Sequence, residues 1–223
     1  MLILIRHGEA THHTQKLTGG WTNSQLTEKG RGQLQAAATK LARDFAGRRP
    51  KVRILASDLE RAAESARIIG EALGYGEAIE YYSCLREKNN GVAAGMTEEA
   101  AKAYYRKPAS EQELDHRNYP EGETRREFYL RNIEGLKEQA DLEKENLIIV
   151  AHKGTIQNII FHWLGMDMPK VVEQNLSVDI QPASITVLGV NKWHEHAIFR
   201  LNDTSHLEEN QGYGIFSYKY EKP

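Results

Sequence analysis

Apolar and polar residues follow two different rhythms along this chain. Short runs rich in apolar residues occur at Met1–Ile5, Val52–Ala56, Ile79–Tyr82 and Leu147–Ala151. Short runs bounded by glycine or polar residues are typical of strands buried on both faces of a sheet. Near the end of the chain, Ile185–Val190 and Ala197–Leu201 alternate around a polar turn, which predicts an antiparallel hairpin at the sheet edge.

Longer segments between these runs repeat their apolar residues every three or four positions, as amphipathic helices do. Three of these segments begin with a capping signal, at Thr27 and at the capping-box pairs Ser57/Glu60 and Thr124/Glu127. We expect the helix after Thr124 to run to about Glu145. Helices that alternate with buried strands predict an α/β fold, a three-layer α/β/α sandwich around a mainly parallel sheet with an antiparallel edge strand.

The length of the chain suits one sizeable core. It has 223 residues and no break in composition, so we expect a single domain over residues 1–223. The segment from about 107 to 122 is polar, contains Pro108 and Pro120, and is the longest irregular stretch. Such a segment is typical of a lid or a mobile excursion over a site.

Charge and composition exclude several classes of partner. The formal net charge is −2 and the sequence pI is about 6.5, which is not the electrostatic footprint of a nucleic-acid-binding protein. The first apolar run is too short for a signal peptide or a membrane span. The sequence's single cysteine, Cys84, has no partner for an internal disulfide, which fits a reducing compartment. We therefore expect a cytoplasmic protein that binds neither nucleic acid nor membranes, and the sequence leaves its oligomeric state open.

Candidate chemistry lies where the predicted strands end. Arg6 and His7 follow the first strand, His152 follows the fourth, and Arg61 lies shortly after the end of the second. Parallel strands joined by right-handed crossovers bring their carboxyl ends to one edge of the sheet, where α/β proteins bind ligands. Each residue alone fits an ordinary structural or surface role. Two histidines and two arginines at one edge predict an anion site.

Taken together, these residues resemble the histidine phosphatase superfamily, also called the phosphoglycerate mutase-like fold. The resemblance covers the chain to about His206, and its motifs occur in the family's order: Arg6-His7-Gly8-Glu9, Gly20 to Gly30, Ser57 to Ala62, Leu85-Arg86-Glu87, Gly122-Glu123-Thr124 and Val150-Ala151-His152. It implies that His7 is the phosphorylated nucleophile and that Glu87 is the acid/base. Arg6, Arg61 and a catalytic His152 would complete the phosphate pocket. His13 stands where many members have a phosphate-holding asparagine, so we expect it to bind phosphate.

These residue types suit phosphoryl transfer. Guanidinium groups bind phosphate oxygens, a neutral imidazole is nucleophilic near pH 7, and a carboxyl group can protonate the leaving oxygen. Because side chains supply the positive charge, we expect no metal and no cofactor. The histidine pairs His12-His13 and His194/His196 lack a third ligand at metal-binding spacing. Gly8 is expected to let the backbone approach the ligand, and Glu9 to orient the pocket.

Three functions fit this sequence. The first is a metal-independent phosphomonoesterase that acts on a small phosphorylated metabolite through a phosphohistidine. The second is a phosphoglycerate-type mutase, and the third is an inactive phospho-ligand or partner-binding module. Retention of the implied catalytic residues argues against the third. The mainly acidic stretch from Ser110 to Asp115, where a basic insertion marks sugar-phosphate mutases, argues against the second. The sequence therefore favours the phosphatase.

Overall fold

Six strands form one mixed sheet in the computed structural model, which describes residues 1–48, 50–75, 78–110 and 113–207. The strands are β1 (Leu2–Arg6), β2 (Arg53–Ser57), β3 (Glu80–Tyr82), β4 (Leu147–Ala151), β5 (Ile185–Val190) and β6 (His196–Asp203). Their order across the sheet is β3-β2-β4-β1-β5-β6. The first four are parallel, whereas β5 is antiparallel to β1 and β6 is antiparallel to β5. The expected mainly parallel sheet with an antiparallel edge is confirmed.

Helices cover both faces of the sheet. They are α1 (Thr11–Thr14), α2 (Glu28–Phe45), α3 (Glu60–Ala72), α4 (Glu98–Ala101), α5 (Arg125–Gln139), α6 (Lys153–Trp163) and α7 (Met168–Glu173). Alternate side chains of a strand point to opposite faces. Ile3 and Ile5 of β1 therefore join the core cluster that contains α2 and α3, while Leu2 and Leu4 join the cluster that contains α5 and α6. The result is the three-layer α/β/α arrangement expected from the sequence.

Helix starts agree with the sequence at two of the three predicted caps. The Thr27 hydroxyl accepts the Gly30 N–H at 3.0 Å, and Thr124 forms a full capping box with Glu127. The capping box predicted for Ser57 is wrong. Ser57 is the last residue of β2, and α3 begins at Glu60 after Leu59, which offers no capping side chain. The Ser57 hydroxyl is therefore free to serve the site described below.

Two other predicted segments differ in detail. The polar composition of residues 10–23 predicts a loop, but this stretch contains the single helical turn α1, which carries His12 and His13. Helix α5 ends at Gln139 instead of near Glu145. The Asp141 carboxylate accepts two backbone N–H groups, from Glu143 and Lys144, each at 3.1 Å. Such local side-chain bonds compete with helical ones and favour a turn.

Gly8 allows β1 to pass close to α2. A Cβ atom at this position would lie 2.5 Å from the Gly30 carbonyl oxygen and 2.5 Å from the Leu34 side chain. Gly8 therefore has a packing role, and its expected role in the approach of the backbone to a ligand stays a prediction. Its small size lets the chain that follows His7 lie directly against the start of α2.

The irregular segment between α4 and α5 is tied to α5 by ion pairs in its described part. Arg117 bonds Glu127, and Asp115 bonds Arg126. A lid function for this segment stays a prediction. In the described ranges, no helix is long and apolar enough to cross a membrane.

Candidate active site

The carboxyl ends of β1 and β4 bring two histidines together. The two strands are paired in parallel with Arg6 opposite Ala151, so His7 and His152 leave the sheet side by side. Their ring centroids are 5.1 Å apart, and both side chains are buried. Strand β2 pairs with β4 on the other side and delivers Ser57 to the same edge. The geometry expected from strand order is thus present.

Hydrogen bonding fixes the tautomer of His7. Its Nδ1 lies 2.7 Å from the Gly8 carbonyl oxygen, and because a carbonyl only accepts, Nδ1 carries the proton. Nε2 therefore keeps its lone pair, and Arg61 Nε donates to it at 3.3 Å. Burial, followed by the charges of Arg61 and His152, lowers the pKa of His7 well below 6.5. His7 is a neutral imidazole at neutral pH, with Nε2 available as a nucleophile.

Arg61 is the most deeply buried cation of the site, with 1% of its surface exposed. Its two terminal nitrogens donate to the carbonyl oxygens of Thr22 at 2.6 Å and Gly20 at 2.8 Å. Gly20 adopts the left-handed conformation, with φ of 66°, which glycine favours. Burial lowers the pKa of Arg61 to about 10, so the group stays cationic at neutral pH. The loop from Gly20 to Thr22 is thus organised around this guanidinium.

Arg6 and His13 form a second edge of the site, which combines a guanidinium with a neutral imidazole. Arg6 donates to the Ile180 carbonyl at 2.6 Å, and its other terminal nitrogen lies 3.3 Å from His13 Nε2. His13 Nδ1 accepts the Ala10 N–H at 3.1 Å, which puts the proton of the neutral ring on Nε2, facing a guanidinium that can only donate. An anion placed between the two groups would accept from both.

His13 also stacks on the ring of His7. The two ring planes are 13° from parallel, and the centroids of His7 and His13 are 5.8 Å apart. One side of His13 reaches solvent, yet surrounding protein atoms and then the cations Arg6 and Arg61 lower its pKa to about 4. His12, on the same turn, is buried and hydrogen-bonded to Ser24 at 2.7 Å.

His152 is oriented by the serine that was expected to cap α3. Its Nε2 lies 2.9 Å from the Ser57 hydroxyl, which also accepts the Leu59 N–H at 3.3 Å. The buried Nδ1 atom has no hydrogen-bond partner among the described residues. Buried polar atoms are nearly always paired, so an unpaired one beside His7 indicates a place for a ligand atom. Burial, and then the charges of Arg61 and Arg6, lower the pKa of His152 well below 6.5.

Both carboxylate oxygens of Glu87 are held by backbone N–H groups. Oε1 accepts from Lys88 at 2.9 Å, and Oε2 accepts from Gly154 at 2.9 Å. Gly154 lies in the first turn of α6, where N–H groups and the helix dipole favour an anion. A Cβ at Gly154 would overlap Oε1 and lie 3.0 Å from the Phe128 ring, so this close approach requires glycine.

The Glu9 carboxylate contacts residues at the start of α2. Its Oε1 accepts the Thr27 hydroxyl at 2.9 Å, and its Oε2 lies 3.4 Å from the Lys29 ammonium. The carboxylate therefore anchors the start of α2 against the end of β1. This arrangement is consistent with an orienting role.

Arg131, which the sequence did not single out, holds the loop that carries Glu87. It pairs with Glu123 through two bonds of 2.6 and 2.9 Å and donates to the Ser83 and Glu87 carbonyls, each at 3.0 Å. Other donors reach the same loop, namely Trp21, Asn132 and Thr155. The sequence signal that could have revealed side chains holding this loop is the presence of polar residues, such as Asn132 and Thr155, at core positions of α5 and α6.

The described residues contain no group of three or more histidine, cysteine, aspartate or glutamate side chains arranged to hold a metal ion. His196, from the second histidine pair, instead stacks on Trp163 with centroids 4.1 Å apart and bonds the Trp163 carbonyl oxygen at 2.7 Å.

The fold and the site together define an α/β protein with buried histidines and arginines gathered at the carboxyl ends of parallel strands. The chain belongs to the histidine phosphatase superfamily (branch 1), whose family model matches residues 2–204. This confirms the predicted family and enzyme class.

Similar proteins include both phosphatases and mutases. A metal-independent phosphoserine phosphatase of Arabidopsis thaliana is 28% identical, covering 92% of this chain and 82% of the relative. A 2,3-bisphosphoglycerate-dependent phosphoglycerate mutase of Bartonella henselae is 28% identical, covering 80% of this chain and 88% of the relative. The structure of a mycobacterial glucosyl-3-phosphoglycerate phosphatase matches with a TM-score of 0.69 and 23% identity, covering 90% and 98% of the two chains. The similarity to the mycobacterial structure shows a shared fold.

Proposed function

We propose that the protein is a metal-independent phosphomonoesterase that acts on a small phosphorylated metabolite through a phosphohistidine formed on His7. The observation that carries this proposal is the state of the His7 ring. Its Nδ1 proton is fixed by the Gly8 carbonyl, and its Nε2 lone pair faces the guanidinium of Arg61. A neutral, oriented imidazole surrounded by cations is suited to attack a dianionic phosphate ester.

The reaction proceeds in two steps, formation of the phosphohistidine and its hydrolysis. His7 Nε2 attacks phosphorus, the bond from phosphorus to the ester oxygen breaks, and Glu87 gives its proton to the leaving oxygen. Water then attacks the phosphohistidine while Glu87 takes a proton from it, which releases phosphate and restores the imidazole. Arg61 Nε, which now donates to His7, turns to a phosphate oxygen when the ester binds. Arg6, His13 and His152 bind the other oxygens of the phosphoryl group.

Several observations support metal independence and hydrolysis. The site gathers two arginines and three histidines at one edge, and the Arabidopsis thaliana relative is itself named a metal-independent phosphatase. In the described part of the segment expected to carry a basic clamp in mutases, Arg117 is neutralised by Glu127. A cytoplasmic location belongs to the same proposal, because Cys84 is a free thiol.

Trapping the phosphoenzyme tests the proposal. Wild-type protein in chelator-containing buffer should hydrolyse an aryl phosphate and carry acid-labile, alkali-stable phosphate after a rapid quench. His7→Ala should lose both, with kcat falling by about three orders of magnitude or more. The matched control is His194→Asn, an exposed histidine in the β5–β6 turn, which should keep both.

Two results would contradict the proposal. Activity that is lost with chelator and restored by a divalent metal would exclude the metal-free route. Transfer of phosphate to an added alcohol in place of water would favour the mutase.

A further inference from the structure

A cavity of about 280 Å³ opens beside Glu87 and Gly154. Its wall on one side is apolar and comes from α5, α6 and α7 and the residues that follow, with the side chains of Phe128, Phe161, Met168, Val171 and Leu176. Because Glu87 is the proposed proton donor to the leaving oxygen, the cavity lies where the leaving group of a bound ester would be. Nothing in the proposed phosphoryl chemistry uses it.

Three cations line this cavity, and they differ in how their charge is balanced. Lys153 forms an ion pair with Asp179. Lys88 donates to the uncharged amide oxygen of Asn118 at 3.2 Å. The guanidinium of Arg125, the first residue of α5, has no hydrogen bond or ion pair with any residue in the described part of the chain. Among the described residues, two of the three cations therefore lack an anionic partner.

The neighbouring carboxylates do not neutralise Lys88 and Arg125. Glu123 is engaged by Arg131 through two hydrogen bonds, and Glu87 is held by two backbone N–H groups. Burial and the nearby charge of Arg125 lower the pKa of Lys88, against the opposing pull of Glu123 and Glu87. Two like charges at one partly desolvated cavity repel each other, and an anion between them would relieve that repulsion.

We infer that Lys88 and Arg125 form a subsite for a second anionic group on the substrate, a carboxylate or a phosphate, carried by a leaving group whose body packs on the apolar wall. The inference rests on the proposed function for the position of the leaving group. It adds the substrate class, which is a phosphomonoester with an apolar body and an anion at a distance from the scissile phosphate.

Three aryl esters of equal leaving-group acidity test this subsite. They are 4-(carboxymethyl)phenyl phosphate, its neutral amide 4-(carbamoylmethyl)phenyl phosphate, and 4-(phosphonomethyl)phenyl phosphate. The methylene group insulates the ring from the substituent, so differences in kcat/KM report binding of the substituent. Wild-type protein should prefer at least one anionic ester over the amide by about tenfold or more, as a charge-assisted hydrogen bond provides. The preferred anion distinguishes a carboxylate subsite from a phosphate subsite.

Substitutions of single residues show which side chains cause the preference for the anionic ester. Arg125→Gln and Lys88→Met should each remove most of it through a higher KM for the anionic ester, with little change for the amide. Arg126→Gln is the matched control, because Arg126 is the next residue of the same helix, is exposed and is already paired with Asp115. It should keep the full preference.

The outcomes separate this inference from the proposed function. If wild-type protein hydrolyses all three esters equally well, the subsite is wrong and the phosphatase stands. If it hydrolyses none of them, the phosphatase is wrong, and calorimetric titration of the same esters into His7→Ala protein still measures the subsite. Equal affinity of that variant for the anionic and neutral esters would overturn the inference.

Discussion

Two backbone N–H groups hold the carboxylate of Glu87, so a change of one atom tests its role. In Glu87→Gln the amide keeps the size of the side chain but cannot donate a proton to a leaving alkoxide as a carboxyl group does. We expect kcat for alkyl phosphates to fall by about 10²- to 10⁴-fold, the usual contribution of general acid catalysis. Aryl phosphates, whose leaving groups need little protonation, should be slowed much less. Steady-state rates over a series of esters with graded leaving-group acidity measure the difference.

Glu9→Gln serves as the control for that series. Glu9 bonds Thr27 and Lys29 at the start of α2, so any loss in this variant should be the same for alkyl and aryl esters. Equal losses for both ester classes in Glu87→Gln, together with a leaving-group dependence in Glu9→Gln, would move the proton donor to Glu9.

At the scale of single residues, the sequence predicted side chains that follow strands better than side chains that hold loops. His7 and His152 were predictable because parallel strands end at one edge, and a strand end is visible as a break in an apolar run. Arg131 was not, because its contacts to the Ser83 and Glu87 carbonyls depend on how α5 packs. Ser57 was assigned to a cap by spacing, whereas its hydroxyl bonds His152.

Among the elements, α5 packs directly against the turn that precedes Glu87. An added Cβ at Gly135, in the middle of α5, would lie 2.5 Å from the Cys84 Cβ and 3.2 Å from its sulfur. Alanine normally stabilises a helix relative to glycine by about 0.5–1 kcal/mol. Here we expect Gly135→Ala to destabilise the fold by about 1–3 kcal/mol through overpacking, and to lower activity by shifting the turn before Glu87. Urea unfolding and the rate of aryl phosphate hydrolysis measure the two effects.

Gly32→Ala is the matched control for this prediction. Gly32 is also inside a helix, α2, but a Cβ there meets no atom within 4 Å. This variant should gain the ordinary helical stabilisation and keep full activity. If Gly135→Ala is as stable as Gly32→Ala, the tight contact between α5 and Cys84 does not exist in solution.

Element types followed from periodicity, but some boundaries did not. The buried strands and the helices after Thr27 and Thr124 were predictable because their apolar spacing and caps agree. The end of α5 was not, because Asp141 bonds two backbone N–H groups and stops a pattern that otherwise continues. The hairpin of β5 and β6 was recognised, but the pairing of β5 with β1 depends on tertiary packing.

In the whole molecule, the site requires several histidines to stay neutral inside the fold. Burial lowers the pKa of His12 to about 3 and, with nearby cations, the pKa values of His7 and His152 well below 6.5. In the unfolded chain these groups titrate near 6.5, so below that pH the unfolded state binds more protons than the folded state. Stability is therefore full above about pH 6.5 and falls as the pH drops below it. Each fully buried histidine costs about 1 kcal/mol between pH 6.5 and 5.5.

We therefore expect the free energy of unfolding to fall by a few kcal/mol between pH 7.5 and 5.5, a range above the ordinary titration of the acidic side chains. Denaturant unfolding across this range gives the slope. His12→Asn should reduce this slope by about the contribution of one buried histidine. His194→Asn, at an exposed turn position, should leave the slope unchanged. A free energy of unfolding that stays constant over this range would contradict the burial of neutral histidines at the site.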